Sequence, residues 1–226
     1  MQADRSIKSI ETVMTNGMQT AKIPSERSKR SKSMFVWYDD EKEKIKLEIG
    51  STVRPDPYAQ RALKTYIQEY LENKGITEAI SRFGLHEVRL NVIDIERTFI
   101  DKIMSVKRHA ICGTLPSKVR HIYDVVKLYE MDEVQQFLSE RETLAHLVKL
   151  TKETDSFYMN RRNISKEYNP LGAYGFDKWR NCFDGPVRTN YEHLHENLLY
   201  SDEKQSLDKA ISVFTEVDRI MREIGE

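Results

Sequence analysis

Two helical patterns that follow each other between Ile95 and Leu128 constrain this chain more than any other stretch. The first pattern places its apolar residues at the spacing of one helix face. These residues are Phe99, Ile100, Ile103, Met104 and Val106. The second pattern runs from Ser117 to Tyr129, after a predicted loop over residues 108–118 that contains glycine and proline. Each predicted helix carries one ionic side chain close to its apolar stripe, Lys102 in the first and Asp124 in the second. We therefore expect these two side chains to face one cleft.

Composition excludes some function classes and leaves the rest open. Lysine plus arginine equals aspartate plus glutamate at 36 each, so no net charge attracts nucleic acid or an anionic membrane. The two cysteines, Cys112 and Cys182, lie far apart and form neither a CxxC motif nor a zinc-ligand pattern. No apolar run approaches the roughly 18 to 20 residues that span a bilayer. We expect a soluble, cytoplasmic protein.

The remaining patterns predict an α+β chain with strands first and helices afterwards. Residues 1–32 are polar, with a basic cluster at Lys29, Arg30 and Lys32 that predicts either a solvated loop or a contact with nucleic-acid phosphates. The later predicted elements follow chain order. They are a hairpin of strands 34–38 and 45–49, a helix over 59–74 closed by Gly75, a strand within 84–94, a helix over 133–151, an irregular aromatic segment over 155–185, and two helices within 189–224. We predict a partial α/β region over 1–94 and a helical region over 95–226.

The two ionic side chains each allow a structural and a functional interpretation. A lysine on an amphipathic helix commonly lies at the surface, yet a lysine in a cleft can bind a nucleotide phosphate. Asp124 has apolar neighbours and needs a partner for its buried charge. Arg120, one turn earlier, can be that partner, or Asp124 can accept a proton or orient Lys102. Glu48 lies on the polar face of a predicted strand, where it is either solvated or a metal ligand.

Other candidate sites are weaker. The six histidines are predicted not to be metal ligands, because the one close pair, His193 and His195, points to different sides of a helix. The chain contains no GxGxxG, P-loop or GxSxG motif. The aromatic stretch 168–176 can stack a nucleobase or pack in a core.

The motifs ERTFIDKIMSV at 96–106 and SKVRHIYDVVKL at 117–128 resemble the paired motifs of the AbiEii/AbiGii abortive-infection toxin family. Members of that family look like polymerase-β-type nucleotidyltransferases. The resemblance implies that Lys102 and Asp124 are catalytic or contact the nucleotide, and that Asp101 and Arg120 contribute to nucleotide binding. The strand IKLEIGS is similar to the family strand that bears a metal-site carboxylate, which implies a metal-binding role for Glu48. Mg²⁺ and a nucleoside triphosphate would then be cofactors, with an RNA or protein acceptor and a cognate antitoxin as partners.

The chain departs from the family pattern in one respect. The Gly-Gly-Thr-Ala helix start and the Asp-x-Asp strand of the family are missing, because Asp39 and Asp40 are adjacent and point to opposite sides of a strand. We expect a family member without its first lobe. Two hypotheses remain open: a nucleotidyltransferase toxin of reduced activity, or a non-catalytic binding module that keeps the fold.

Overall fold

The structure, a computed structural model, describes residues 18–22, 31–38, 45–50, 56–159, 164–197 and 204–226. It divides into two compact units, Met1–Arg54 and Pro55–Glu226. The α+β class predicted from the sequence is confirmed, with a helical C-terminal half. The predicted division into regions 1–94 and 95–226 stays a prediction. The two compact units of the structure are divided between Arg54 and Pro55.

The described part of the first unit is an antiparallel sheet of order β1-β2-β3. Its strands are β1 (Met18–Lys22), β2 (Ser31–Tyr38) and β3 (Ile45–Gly50). The predicted hairpin is confirmed, because β2 pairs with β3 with Met34 opposite Leu47. The sequence predicted no strand over 18–22, where the backbone pairs with β2 although the residues there show little apolar alternation. The basic cluster at Lys29 and Arg30 lies outside the described residues.

A second, two-stranded antiparallel sheet opens the second unit, with β4 (Tyr58–Leu63) paired to β5 (Val88–Ile93). Two short helices lie between the strands, α1 (Tyr66–Asn73) and α2 (Thr77–Phe83). The strand predicted within 84–94 is confirmed. The helix predicted from Ala59 is wrong over 59–63, because that backbone bonds to β5, and Thr65 then caps α1 by accepting a hydrogen bond from the Gln68 N–H at 3.1 Å.

The core is built around α3 (Ile95–Ile111), whose apolar stripe is fully buried. A single 3-10 turn (Leu115–Lys118) leads into α4 (Arg120–Tyr129), which packs against α3. The one helix predicted over 133–151 is wrong, because the backbone breaks at Glu140 into α5 (Asp132–Ser139) and α6 (Arg141–Met159). The break lets both helices turn apolar side chains to the core. These side chains include Val134 and Phe137 of α5 and Leu144 and Val148 of α6.

Two further helices close the second unit, α7 (Gly185–Asn197) and α8 (Leu207–Glu223). The sequence predicted an irregular segment over 155–185. Residues 155–159 instead belong to α6, which extends to Met159, and the described residues from 164 to the start of α7 are irregular apart from two short 3-10 turns. The aromatic residues Tyr174, Phe176, Trp179 and Phe183 of this segment belong to the core cluster with Phe214 of α8, which favours the core alternative for the stretch 168–176. Ring contacts join Phe176 to Trp179 at 4.7 Å and to Phe214 at 5.6 Å between centroids. In the described part of the chain no helix has the length and apolar content to cross a membrane.

Candidate functional site

The packing of α3 against α4 brings Lys102 and Asp124 into direct contact. Lys102 Nζ donates to Asp124 Oδ2 at 2.5 Å, across 22 residues of sequence. Their side chains are 31% and 35% exposed, so the ion pair is partly desolvated but a solute can still reach both groups. The expectation that these two side chains lie together agrees with this geometry, while the cleft and the role of each residue stay predictions.

His121 completes the cluster from the first turn of α4. Its Nδ1 lies 3.4 Å from Lys102 Nζ and 3.8 Å from Asp124 Oδ2. On its other side the ring of His109 stacks on it, with centroids 6.0 Å apart and planes 13° from parallel. His109 Nδ1 is in turn held by Thr114 Oγ1 at 2.8 Å. The sequence interpretation gave His121 no role, and the signal it overlooked is the i, i+3 spacing that puts His121 on the same face of α4 as Asp124.

The electrostatics of the site favour an ionised Asp124 and an uncharged His109. Burial acts to raise the pKa of Asp124, but its interactions with His121 and Lys102 outweigh burial, and the pKa is lowered. Asp124 is therefore ionised at neutral pH. Burial, with the charges of Arg108, His121 and Lys118, lowers the pKa of His109 to about 4. The ring stacked on His121 is therefore uncharged at neutral pH.

Arg120 lies near this cluster in sequence but makes no contact with Asp124. It is exposed on the first turn of α4 and, among the described residues, forms no hydrogen bond or ion pair. The Arg120–Asp124 pair considered from the sequence is thus not formed, and the carboxylate is instead bound by Lys102 of the neighbouring helix.

Asp101 belongs to a different contact from that of its neighbour Lys102. Its Oδ1 accepts from Arg97 Nε at 3.0 Å, one turn earlier on α3. Arg97 is fully buried and also donates to the Asp56 carbonyl at 3.1 Å. Burial raises the pKa of Asp101 in spite of the opposing charge of Arg97. The neighbouring residues Asp101 and Lys102 therefore belong to two separate ion pairs, Arg97 with Asp101 and Lys102 with Asp124.

The described side chains do not fit a magnesium site. Among them no group of three or more histidine, cysteine, aspartate or glutamate residues is placed to hold a metal ion. Asp101 and Asp124 each direct an oxygen to a cationic side chain, which competes with a metal for the same lone pairs. Glu48 lies in β3 opposite Ser33, and its side chain is outside the described part of the structure. We therefore derive no chemical step through a metal.

Two surface pockets of the second unit are lined by residues other than Lys102 and Asp124. One of about 380 Å³ is lined by α7 and the start of α8, including Tyr191, His195 and Gln205. The other, of about 310 Å³, is lined by acidic residues that include Glu96 and Glu133. Neither lining contains Lys102 or Asp124, so the ion pair is a partly exposed surface cluster and not the floor of either pocket.

The fold and the cluster define a class: an α+β protein whose helical half presents a lysine and a carboxylate on facing helices at its surface. The family model described as nucleotidyl transferase AbiEii toxin, Type IV TA system, matches residues 2–212. The chain belongs to this family, and it is a nucleotidyltransferase-like protein of a toxin family. Neither a curated protein nor a solved structure matches it. The resemblance drawn from the two central motifs is confirmed.

Proposed function

We propose that this protein transfers a nucleoside monophosphate from a nucleoside triphosphate to an RNA or protein acceptor, as a cytoplasmic toxin controlled by a cognate antitoxin. The observation that carries the proposal is the contact between Lys102 Nζ and Asp124 Oδ2 on facing helices. Family membership supports the reaction class. The acceptor, the nucleotide, the antitoxin and the residue roles are parts of the proposal.

In this mechanism Lys102 binds the triphosphate. An ammonium group is a compact charge with three donors, so it can keep its bond to Asp124 and still donate to a phosphate oxygen. The partial exposure of Lys102 leaves room for that oxygen. Lys102 thereby offsets charge that builds up on the leaving pyrophosphate.

Asp124 acts on the acceptor. Because its pKa is lowered, the carboxylate is ionised and can accept a hydrogen bond from the attacking hydroxyl. The hydroxyl oxygen forms a bond to the α-phosphorus while the bond from that phosphorus to the pyrophosphate oxygen breaks. The hydroxyl proton passes to Asp124, and pyrophosphate leaves.

Arg120 and Asp101 contribute unequally in this proposal. The exposed guanidinium of Arg120 suits a second phosphate contact, because a planar fork of donors binds phosphate oxygens in pairs. Asp101 is tied to buried Arg97, so the geometry supports a contribution to holding α3 more than a direct nucleotide contact. The family implies a divalent metal that neutralises phosphate charge, and Glu48 stays its proposed ligand.

Transfer of labelled nucleotide from each of the four nucleoside triphosphates tests the proposal. We expect Lys102→Ala to lower kcat/KM by about 100-fold or more, because removing a charge that stabilises the transition state typically has that effect. The matched control is Lys149→Ala, which removes an exposed lysine of α6 and should leave transfer unchanged. Transfer that survives Lys102→Ala at the wild-type rate would contradict the assigned role.

One observation favours a second candidate, a non-catalytic binding module. Lys102 and Asp124 satisfy each other without any ligand, so the pair can serve only to join α3 to α4. That candidate predicts no change in Tm on adding a nucleoside triphosphate with Mg²⁺. A ligand at 100 times its Kd stabilises a protein by about 2.7 kcal/mol, which gives a clear increase in Tm and would contradict the second candidate.

A further inference from the structure

His121 lies beside both residues of the proposed site and has no role in the mechanism above. Its Nδ1 lies within 3.4 Å of Lys102 Nζ, and its side chain is 18% exposed. The ring is packed on His109, which Thr114 holds in turn. A ring placed in this way has little freedom to turn away from Lys102.

Hydrogen-bond chemistry decides which tautomer of His121 suits this contact. An ammonium has donors only, so the nitrogen that faces it must carry a lone pair. Nδ1 of His121 is then the acceptor, and the ring proton resides on Nε2. A protonated ring would instead place a second positive charge 3.4 Å from Lys102 Nζ and compete with it for Asp124 Oδ2.

We infer that His121 is a positioning residue, which holds the Lys102 ammonium between its own Nδ1 and the Asp124 carboxylate so that the remaining N–H points to a phosphate group of the ligand. This inference rests on the proposed function for the identity of the ligand. The contact itself involves only the three side chains of α3 and α4. One N–H of Lys102 bonds to Asp124 and one to His121, which leaves one for the phosphate.

The arrangement reduces the entropic cost of binding a phosphate through Lys102. A lysine side chain has several rotatable bonds, and ordering it on binding lowers affinity. Two fixed acceptors order the ammonium before the ligand arrives. Without His121 the ammonium would keep one fixed partner and could rotate about it.

Binding of inorganic triphosphate to the full chain, measured by calorimetry, tests this inference without depending on the base or the acceptor. We expect His121→Leu, which has no acceptor, to weaken binding about tenfold. His121→Asn keeps an acceptor oxygen close to the position of Nδ1 and should bind within about threefold of wild type. The control His146→Leu changes an exposed histidine of α6 and should bind as wild type does. A loss in His121→Asn as large as that in His121→Leu would overturn the inference.

A double-mutant cycle separates positioning from a general structural effect. If His121 acts through Lys102, then His121→Leu has no further effect on triphosphate binding in the Lys102→Ala background. Equal losses in both backgrounds would overturn the inference. Melting curves of each variant show whether the fold is kept, and His121→Asn carries the test if His121→Leu unfolds.

The ring tautomer gives a readout independent of any ligand. Long-range ¹⁵N–¹H correlation spectra of the free protein should show His121 protonated at Nε2 with Nδ1 as acceptor, and a proton on Nδ1 would overturn the inference. Failure of the proposed function is distinguishable from these outcomes. Triphosphate binding that is coupled between His121 and Lys102, in a protein that transfers no nucleotide, supports the positioning role and rejects the transferase. Absence of triphosphate binding rejects both.

Discussion

Lys107 shows how one buried charge ties a loop to the central helix. Its ammonium is almost fully buried and donates to the carbonyls of Gly172 at 3.2 Å and Ala173 at 2.6 Å. Burial, together with the nearby charges of Lys152 and Lys178, lowers the pKa of Lys107 from 10.5 to about 8. The folded state therefore binds this proton less tightly than the unfolded state does.

This difference in proton affinity predicts a pH dependence of stability. Between pH 8 and 10.5 the unfolded chain keeps the Lys107 proton that the folded chain has released, so the contribution of Lys107 to stability rises with pH across that window. The full change is on the order of 3 kcal/mol. We expect the free energy of unfolding of wild type, measured with urea, to rise from pH 8 to 10 relative to Lys107→Met. Parallel pH curves for the two proteins would contradict this assignment.

At the scale of the element, α3 is both the centre of the core and the support of the site. Its side chains Phe99, Ile100, Ile103 and Val106 are fully buried, and the next position round the helix presents Lys102 to α4. The same helix also buries Arg97 against the Asp56 carbonyl. A single helix thus supplies the apolar stripe, the internal arginine and the surface lysine.

Truncating the stripe of α3 should be costly, whereas the same change on an exposed helix should not be. We expect Ile103→Ala to lower the free energy of unfolding by about 2 to 5 kcal/mol, because it leaves a cavity in the packed core. The control Ile67→Ala removes the same atoms from α1, where the side chain is 61% exposed, and should cost less than about 1 kcal/mol. Chemical unfolding of both variants measures the difference, and equal losses would show that α3 is not the centre of the core.

At the scale of the whole molecule, burial is uneven along the second unit. The helices from α3 to α8 share one apolar cluster. In residues 58–93, by contrast, only Gln68 and Ile80 are buried, and many large apolar side chains there are exposed. Tyr66 is 90% exposed. Because local stability follows buried contacts, α1 and α2 should open more readily than α3.

Hydrogen exchange followed by mass spectrometry tests this gradient. We expect amides of α3 to exchange at least about 100-fold more slowly than those of α1 and α2, since tenfold corresponds to about 1.4 kcal/mol of opening free energy. Peptides within 66–83 and within 99–111 provide the comparison in one experiment. Equal protection would mean that residues 58–93 are stabilised by contacts beyond those of the described structure.

Local patterns in the sequence determined much of this protein. The α+β class was predicted by the 3.6-residue period of α3 and α4 and the alternation in β3, because the burial of a helix or strand face repeats at a fixed spacing of nearby residues. The family was predicted by the motifs around Lys102 and Asp124. The strand at 58–63 could not be read in the same way, since its partner β5 begins 25 residues after it ends.

Only the tertiary structure decided which charges of different helices meet. Asp124 is bound by Lys102 of the neighbouring helix and not by Arg120 of its own helix, and His121 lies beside the ammonium. Spacing within one helix shows which residues share a face. It does not show which side chain of another helix contacts that face. That choice depends on how α3 and α4 pack, and it converts a lysine and an aspartate that are 22 residues apart into one site.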